Sequence, residues 1–187
     1  LYFINNIDDK DLVARSRRSL IGNSVLFLVF FLSFVIRTLL ADGYAVNPET
    51  GEVFMEPYKY LTNFIEMPLV LVLFLIGVVL VLFGIGKSLL KTKFDKGIWF
   101  TGIGTVLAVL ALLLVAGYNN TAYYPSTNDL QSSLTLANSC SSQFTLRVMF
   151  YVSFLVPFVL AYIFYAWRSI DIHKISEKEM KDGGHAY

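Results

Sequence analysis

The sequence is poor in the residues that most disulfide, metal and catalytic sites require. Its 187 residues include one cysteine, Cys140, two histidines, and only 16% charged residues. A single cysteine forms no intrachain disulfide and no cysteine-cluster metal site. Fifteen basic and 14 acidic side chains leave a net charge of +1, so there is no basic field to attract nucleic acid. These shortages exclude a disulfide scaffold, a nucleic-acid binder and an ordinary soluble domain, in which about 25% of residues are charged.

Long apolar runs are abundant instead, and hydrophobic residues make up 56% of the chain. A bilayer core about 30 Å thick requires about 20 helical residues to cross it, and none of the runs shows the period-2 alternation of a barrel strand. We therefore predict an all-α membrane protein, with four transmembrane helices forming one four-helix bundle in a single module over residues 1–187. The predicted spans are 21–41, 67–85, 98–117 and 148–167.

The first run is preceded by a polar, charged stretch of twenty residues, and no small-residue cleavage site follows it. It is therefore predicted to be a permanent span rather than a signal peptide.

The basic residues predict the orientation, because positively charged short loops stay on the cytoplasmic side. Twelve fall in the leading segment, the connection between spans two and three, and the tail, whereas the other two loops contain only Lys59. Both termini are therefore predicted to be cytoplasmic. The twelve are Lys10, Arg15, Arg17, Arg18, Lys87, Lys91, Lys93, Lys96, Arg168, Lys174, Lys178 and Lys181.

Three ionisable residues, Arg37, Glu66 and Arg147, fall at or near predicted membrane depth. Such groups cost at least about 2.5–3.5 kcal/mol at the centre of a span. One interpretation is a buried ion-pair cluster that lines a pathway or binding site, with Arg37 and Glu66 as the structural pair. The other is snorkelling arginines plus a carboxylate near a helix N-terminus, where the dipole favours negative charge. Both interpretations remain open.

Small residues and one proline indicate how the helices are shaped and packed. Gly104, Ala108 and Ala111 in span three, and Gly77 and Gly84 in span two, are spaced to form packing seams between helices. Pro157 lies within span four, where it donates no hydrogen bond to the Ser153 carbonyl, so a helix kink is predicted there.

The sequence offers no cofactor site of its own. The two histidines, His173 and His185, lie in the polar tail, so no span contains a histidine to ligate a haem or metal. The sequon Asn119-Asn120-Thr121 is short enough to arise by chance. By these residues alone, the chain is a four-helix membrane module with no catalytic, cofactor-binding or metal-binding residue.

Several ordered motifs resemble a known family. They are Tyr124-Pro125-Ser126, Ser133-Leu134-Thr135, Ser141-Ser142, Thr145-Leu146, Met149 and Val156-Pro157, with Arg15 to Leu20 and Glu52 to Leu71 upstream. This series resembles the C-terminal half of subunit II of cytochrome bd-type quinol oxidases, and the resemblance covers essentially the whole chain.

The resemblance implies a subunit without haem in a bacterial plasma membrane. In that family, subunit II has eight spans in two four-helix bundles, whereas subunit I holds the b- and d-type haems, oxidises quinol and reduces oxygen to water. The expected partners are therefore subunit I, the missing N-terminal half of subunit II, quinol and the bilayer. Oxygen access and a structural quinone are also attributed to this subunit. Because the chain starts at Leu1 and lacks the first bundle, we expect a fragment, an incomplete gene or a split subunit.

The alternative function is that of a small four-span transporter, channel or assembly factor. Transporters place polar groups or broken helices at the midplane, whereas spans two and three are almost wholly apolar. A membrane enzyme acting alone would need a nucleophile, a metal site or a general base, and none is evident.

Overall fold

The computed structural model describes residues 1–7, 9–90, 94 and 96–171. Five lysines that entered the orientation argument and both histidines lie outside the described residues; they are Lys91, Lys93, Lys174, Lys178, Lys181, His173 and His185. Within the described part, four helices are long and apolar enough to cross a membrane: Lys10–Leu40, Pro68–Leu90, Gly97–Gly117 and Gln143–Ile170. The prediction of four candidate spans is confirmed.

The elements follow one another in a simple order. They are α1 (Tyr2–Asn6), α2 (Lys10–Leu40), β1 (Gly43–Val46), β2 (Val53–Glu56), α3 (Lys59–Glu66), α4 (Pro68–Leu90), α5 (Gly97–Gly117), a 3₁₀ turn (Leu130–Ser132), α6 (Leu136–Ser139), α7 (Gln143–Ser153) and α8 (Val156–Asp171).

Helix α2 begins well before the predicted span because its polar leading segment is also helical. The Asp9 carboxylate accepts from the backbone N–H groups of Asp11 and Leu12, at 2.8 and 3.2 Å, and so caps the helix. Helix α7 likewise begins before the predicted fourth span, where the Ser142 hydroxyl accepts from Thr145 N–H at 3.3 Å. Polar caps therefore set both helix starts, whereas the apolar runs mark only the candidate membrane-spanning parts.

Helices α4 and α5 pack against each other through a seam of small residues. Buried positions recur at spacings of three and four in both helices, as in a coiled coil. A Cβ atom built on Gly104 would lie 2.6 Å from the Gly77 carbonyl oxygen, and one on Gly77 would lie 2.6 Å from the Ala108 nitrogen. The backbones approach this closely only because the side chains are absent. The predicted seam is confirmed.

The remaining spans are less covered by the rest of the chain. Helix α2 contributes Phe31, Val35 and Leu39 to the periphery of a core formed by α3, α4 and α5. In the fourth span, every described side chain from 143 to 170 is exposed except that of Ala166, which is half-buried. Its aromatic contact outside its own helix pairs Phe164 with Trp99 at 6.3 Å between ring centroids. The described helices therefore do not close into the single four-helix bundle that we predicted.

The fourth span is interrupted at Phe154 and Leu155, just before Pro157. Phe154 and Leu155 donate their N–H groups to carbonyls three residues earlier, at 3.2 and 2.9 Å. Proline has no N–H to continue the α-helical pattern across this turn, so the chain tightens locally. A change of axis direction at Pro157 stays a prediction.

A small antiparallel sheet corrects the all-α description. Strands β1 and β2 pair in the register Gly43 with Glu56 through Val46 with Val53. On one side, Ala45 pairs with Thr121 as an isolated bridge. On the other, the Gln131 side-chain amide both accepts from and donates to the backbone of Val53, at 3.0 and 2.9 Å. The two strands were too short to stand out as a periodic pattern, although the turn signal Asn47-Pro48-Glu49-Thr50-Gly51 separates them.

The sheet brings two distant loops together at one end of the molecule, which we call the hairpin end. Val46 N–H donates to the Asn120 carbonyl and Ala122 N–H to the Tyr44 carbonyl, both at 2.8 Å. The loop after α2 and the loop after α5 therefore lie on the same side, as alternating spans require. Which side of a membrane this is stays a prediction.

Candidate functional site

The three charged residues singled out in the sequence lie at the hairpin-end parts of their elements. Arg37 is in the last turn of α2, Glu66 is the last residue of α3, and Arg147 is near the start of α7. All three are exposed. The pocket that includes Arg147 is lined otherwise only by residues of its own helix.

The structure does not join Arg37 to Glu66. Among the described residues, the one ion pair within 4 Å connects Lys59 Nζ to Glu56 Oε2, at 3.1 Å. Glu66 instead accepts a hydrogen bond from the Asn119 side-chain amide. A role for Arg37, Glu66 and Arg147 as a buried pair or pathway in a larger assembly stays a prediction.

The Lys59–Glu56 pair was not predicted from the sequence. The Lys59 side chain is only 8% exposed, and its stem packs where a Cβ atom on Gly43 would collide with it, 2.5 Å from Lys59 Cβ. A lysine is rarely buried without a partner, and the Glu56 carboxylate supplies one. The pair holds the end of β2 against the start of α3.

A buried polar network centred on Asn63 connects α3 to the end of α5 and the following loop. Asn63 is fully buried, and its Nδ2 donates to the Val115 carbonyl at 2.9 Å and to Thr121 Oγ1 at 2.8 Å. Its Oδ1 accepts from Asn119 Nδ2 at 3.0 Å, and Thr121 Oγ1 donates to the Asn119 carbonyl at 3.2 Å. Each polar atom of the Asn63 amide is therefore satisfied, as a buried amide requires.

The same network includes two residues of the sequon, Asn119 and Thr121. Asn119 and Asn120 both adopt left-handed backbone conformations, with φ of 56° and 52°, which asparagine tolerates better than most residues. The Asn119 amide is engaged by Asn63 and Glu66, and Thr121 is 2% exposed. The sequon residues act in the fold of the loop, which supports a chance match.

Two neighbouring hollows lie between the helices. The first, which we call the Arg37 recess, is a hollow of about 510 Å³ at the hairpin end; its lining is Phe34, Arg37, Thr38, Ala41, Tyr60, Leu112, Val115 and Ala116. The second, which we call the apolar cleft, is about 180 Å³ between α2, α4 and α5; its lining includes Phe27, Phe31, Phe34, Val78, Val109 and Leu112. The two hollows share Phe34 and Leu112 in their linings.

Neither hollow provides the groups for acid–base or metal chemistry. Within the described residues, no three His, Cys, Asp or Glu side chains are grouped to hold a metal ion. Burial, and next the neighbouring Tyr44, raises the pKa of Tyr60 above its ordinary value, so this phenol stays protonated at neutral pH. The linings are mainly apolar, and their polar residues are Arg37, Thr38 and Tyr60 in the recess and Thr105 in the cleft.

Comparison with known families now decides what kind of chain this is. The profile of the family described as "Cytochrome bd terminal oxidase subunit II" matches residues 1–170. The chain belongs to this family. The resemblance drawn from the loop and span motifs is therefore confirmed.

Curated relatives of this subunit II family come from Escherichia coli. The proteins named "Cytochrome bd-I ubiquinol oxidase subunit 2" from strains K12, O6:H1 and O157:H7 are each 32% identical to the chain over 136 residues. The match covers 72% of the chain and 34% of each relative. The chain therefore spans about a third of the length of the curated relatives it matches.

Residues that carry the subunit II resemblance hold the second loop in shape. Ser126 N–H donates to the hydroxyl of Ser133 at 3.0 Å, and Ser133 is fully buried. Thr135 and Asn138 form a reciprocal capping box at the start of α6. The hydroxyl-rich motifs are thus loop-folding elements in this structure.

Asn63 and Lys59 are the residues of this end that the sequence analysis missed. The Asn63 contacts reach across more than fifty positions of the chain, so no local pattern reveals them. A weak signal was available, because both polar side chains occur in a short helix beside large apolar residues.

Proposed function

We propose that this chain forms the second four-helix half of an eight-span subunit II in a cytochrome bd-type quinol oxidase. In this proposal the chain crosses a bacterial plasma membrane with both termini in the cytoplasm and carries no haem. Its partners are the haem-bearing subunit I, the N-terminal half of subunit II, quinol and the surrounding lipid.

The observation that carries the proposal is the family match over residues 1–170. The fourth span gives it physical support, because its apolar side chains from 143 to 170 are nearly all exposed within the chain. In a membrane such a helix is covered either by lipid or by other helices. In a two-subunit oxidase, helices of the other parts of the complex would cover it.

The proposed contribution of this chain is structural, and catalysis is assigned to subunit I. Its haems b and d would carry electrons from quinol to oxygen, which is reduced to water. The four spans of this chain contain no histidine, so they offer no imidazole ligand to a haem. The chain would hold subunit I in a low-dielectric setting through apolar helix faces. A structural quinone in subunit II belongs to the same proposal.

The test is to purify the chain, with an affinity tag, from its native membrane in mild detergent. We expect b- and d-type haem bands in the reduced-minus-oxidised absorption spectrum of the preparation, together with quinol-driven oxygen consumption. A tagged membrane protein of similar size from the same cells serves as the control for haem carried over non-specifically.

The opposite result would favour the alternative. A stable, monodisperse chain that carries no haem and supports no oxygen consumption would fit a small transporter, channel or assembly factor. No described side-chain cluster provides specific evidence for that function.

A further inference from the structure

The Arg37 recess has one cationic residue in its lining, Arg37. Arg37 lies one turn before the end of α2, and no described carboxylate forms an ion pair with it. A cation at the margin of a membrane span is stabilised by an anion. The planar guanidinium, with its five N–H donors, matches the oxygens of a phosphate group better than any other side chain does.

Two residues that carry hydroxyl groups also line the recess. Thr38 follows Arg37 on α2, and Tyr60 reaches the same lining from α3. Hydroxyls of this kind donate to phosphate oxygens as well as to glycerol or carbonyl oxygens. The lining of the recess therefore includes one cationic residue and two hydroxyl-bearing residues around a hollow of about 510 Å³.

The adjoining apolar cleft offers almost no polar surface to an occupant. Its one hydroxyl-bearing residue, Thr105, donates that hydroxyl to the Thr101 carbonyl of its own helix at 2.8 Å. The other lining side chains are hydrocarbon, including Phe27, Phe31 and Val109. An occupant of this cleft is therefore hydrocarbon.

The two hollows together have the polarity of one amphiphile. We propose that they bind one anionic phospholipid, with its phosphate on Arg37 and an acyl chain in the apolar cleft. The cationic recess lies at the hairpin end of α2, whereas the cleft lies along the apolar parts of α2, α4 and α5. That is the order of headgroup and acyl chain in a bilayer leaflet. Charge complementarity at Arg37 selects an anionic lipid over a zwitterionic one.

Native mass spectrometry of the protein tests this site. The protein is purified in mild detergent with the subunits that accompany it, and phosphatidylglycerol or phosphatidylcholine with identical acyl chains is added. We expect the wild-type protein to retain one phosphatidylglycerol molecule in preference to phosphatidylcholine. Arg37→Gln lowers that retention about fivefold to tenfold, the effect of losing one charged contact near a membrane surface.

Two further arginine variants show whether lipid retention depends on the positive charge at position 37 or on any exposed positive charge of the protein. Arg37→Lys keeps the positive charge and is expected to restore part of the phosphatidylglycerol retention. Arg147→Gln is the matched control, because it removes an exposed arginine that is bordered only by residues of its own helix. We expect this variant to retain phosphatidylglycerol like the wild type.

A variant in the cleft tests the acyl-chain half independently. Val109→Trp fills the cleft with an indole ring and is expected to lower the retention of both lipids while leaving Arg37 unchanged. Equal phosphatidylglycerol retention by the wild type and Arg37→Gln would overturn the proposal. So would recovery of a neutral isoprenoid in place of phospholipid, or a protein helix cross-linked across the recess.

Discussion

Asn63 shows how one polar side chain holds the hairpin end of the molecule together. Its amide contacts the last turn of α5 and the loop that follows, although it belongs to the short helix α3. Because Val115 and Thr121 are themselves only 1% and 2% exposed, these two partners would lose a hydrogen bond without gaining one from water. Position 63 therefore requires a side chain that can form these hydrogen bonds.

Replacing Asn63 by alanine tests whether the protein requires these hydrogen bonds for its stability. We expect Asn63→Ala to lower the free energy of unfolding by roughly 1–3 kcal/mol, because buried polar partners are left unsatisfied. The measurement is thermal unfolding of the detergent-solubilised protein. Asn23→Ala is the matched control, since Asn23 is exposed and its side-chain amide donates to Ser19 Oγ on its own helix at 3.1 Å. Equal melting temperatures for the two variants would contradict the role of the network.

Because of Tyr60, we expect the stability of the folded protein to decrease at alkaline pH. Burial, and then Tyr44, raises the pKa of Tyr60 above 10.0, so the unfolded chain releases this proton at lower pH than the folded chain does. Stability is therefore lost as the pH rises above about 10. We expect Tyr60→Phe to flatten this loss in unfolding experiments at increasing pH. Tyr124→Phe, at a tyrosine that is 67% exposed, should keep the wild-type slope.

At the scale of elements, the α4–α5 pair is the most closely packed part of the chain. The two helices present alternating glycine, alanine and larger side chains to each other at coiled-coil spacing. Since lipid tails are as apolar as the helix surfaces, close backbone approach and dispersion contacts stabilise the pair. The seam therefore tolerates little added volume.

Adding a single methyl group to the seam between α4 and α5 tests how closely the two helices are packed. Gly104→Ala places a Cβ against the backbone of α4, and we expect a loss of about 1–3 kcal/mol in unfolding free energy from overpacking. Gly102→Ala is the matched control, because nothing lies within 4 Å of a Cβ built on that glycine of the same helix. Thermal unfolding in detergent distinguishes the two. A Gly104→Ala variant as stable as Gly102→Ala would show that the helices separate freely.

Features that depend on residues close together in the sequence could be predicted, whereas features that depend on residues far apart could not. The four spans and the small-residue seam depend on composition and on positions three or four apart, so they could be predicted. The β-hairpin depends on two four-residue strands, and the Asn63 network on residues more than fifty positions away. One of the two interpretations left open paired Arg37 with Glu66, but the Asn119 amide engages Glu66, a contact that no spacing rule reveals.

At the scale of the whole molecule, both long loops gather at one end. The hydrogen bonds between residues 44–46 and 120–122 place them together, and the exposed Cys140 lies in the same loop region. The distribution of basic residues predicts that this end faces away from the cytoplasm. The single cysteine makes this orientation measurable without a foreign reporter.

Labelling with a membrane-impermeant maleimide tests the orientation. In intact spheroplasts we expect Cys140 to react, because the hairpin end faces outward. The control protein carries Cys140→Ser together with Ser19→Cys, at an exposed position near the other end of α2. It should react only after the membrane is permeabilised. The reverse pattern would invert the predicted topology.

The hairpin has a consequence for how this surface meets other proteins. A free strand edge is a template on which another chain adds a strand, which leads to aggregation or mispairing. Here Thr121 and its neighbours occupy the outer edge of β1, and the Gln131 amide takes both backbone groups of Val53 on β2. The Gln131 side-chain amide thus takes the place of a neighbouring backbone amide and occupies the edge of β2 at Val53. In a crowded membrane, neighbouring copies meet a hairpin closed to strand addition at these positions.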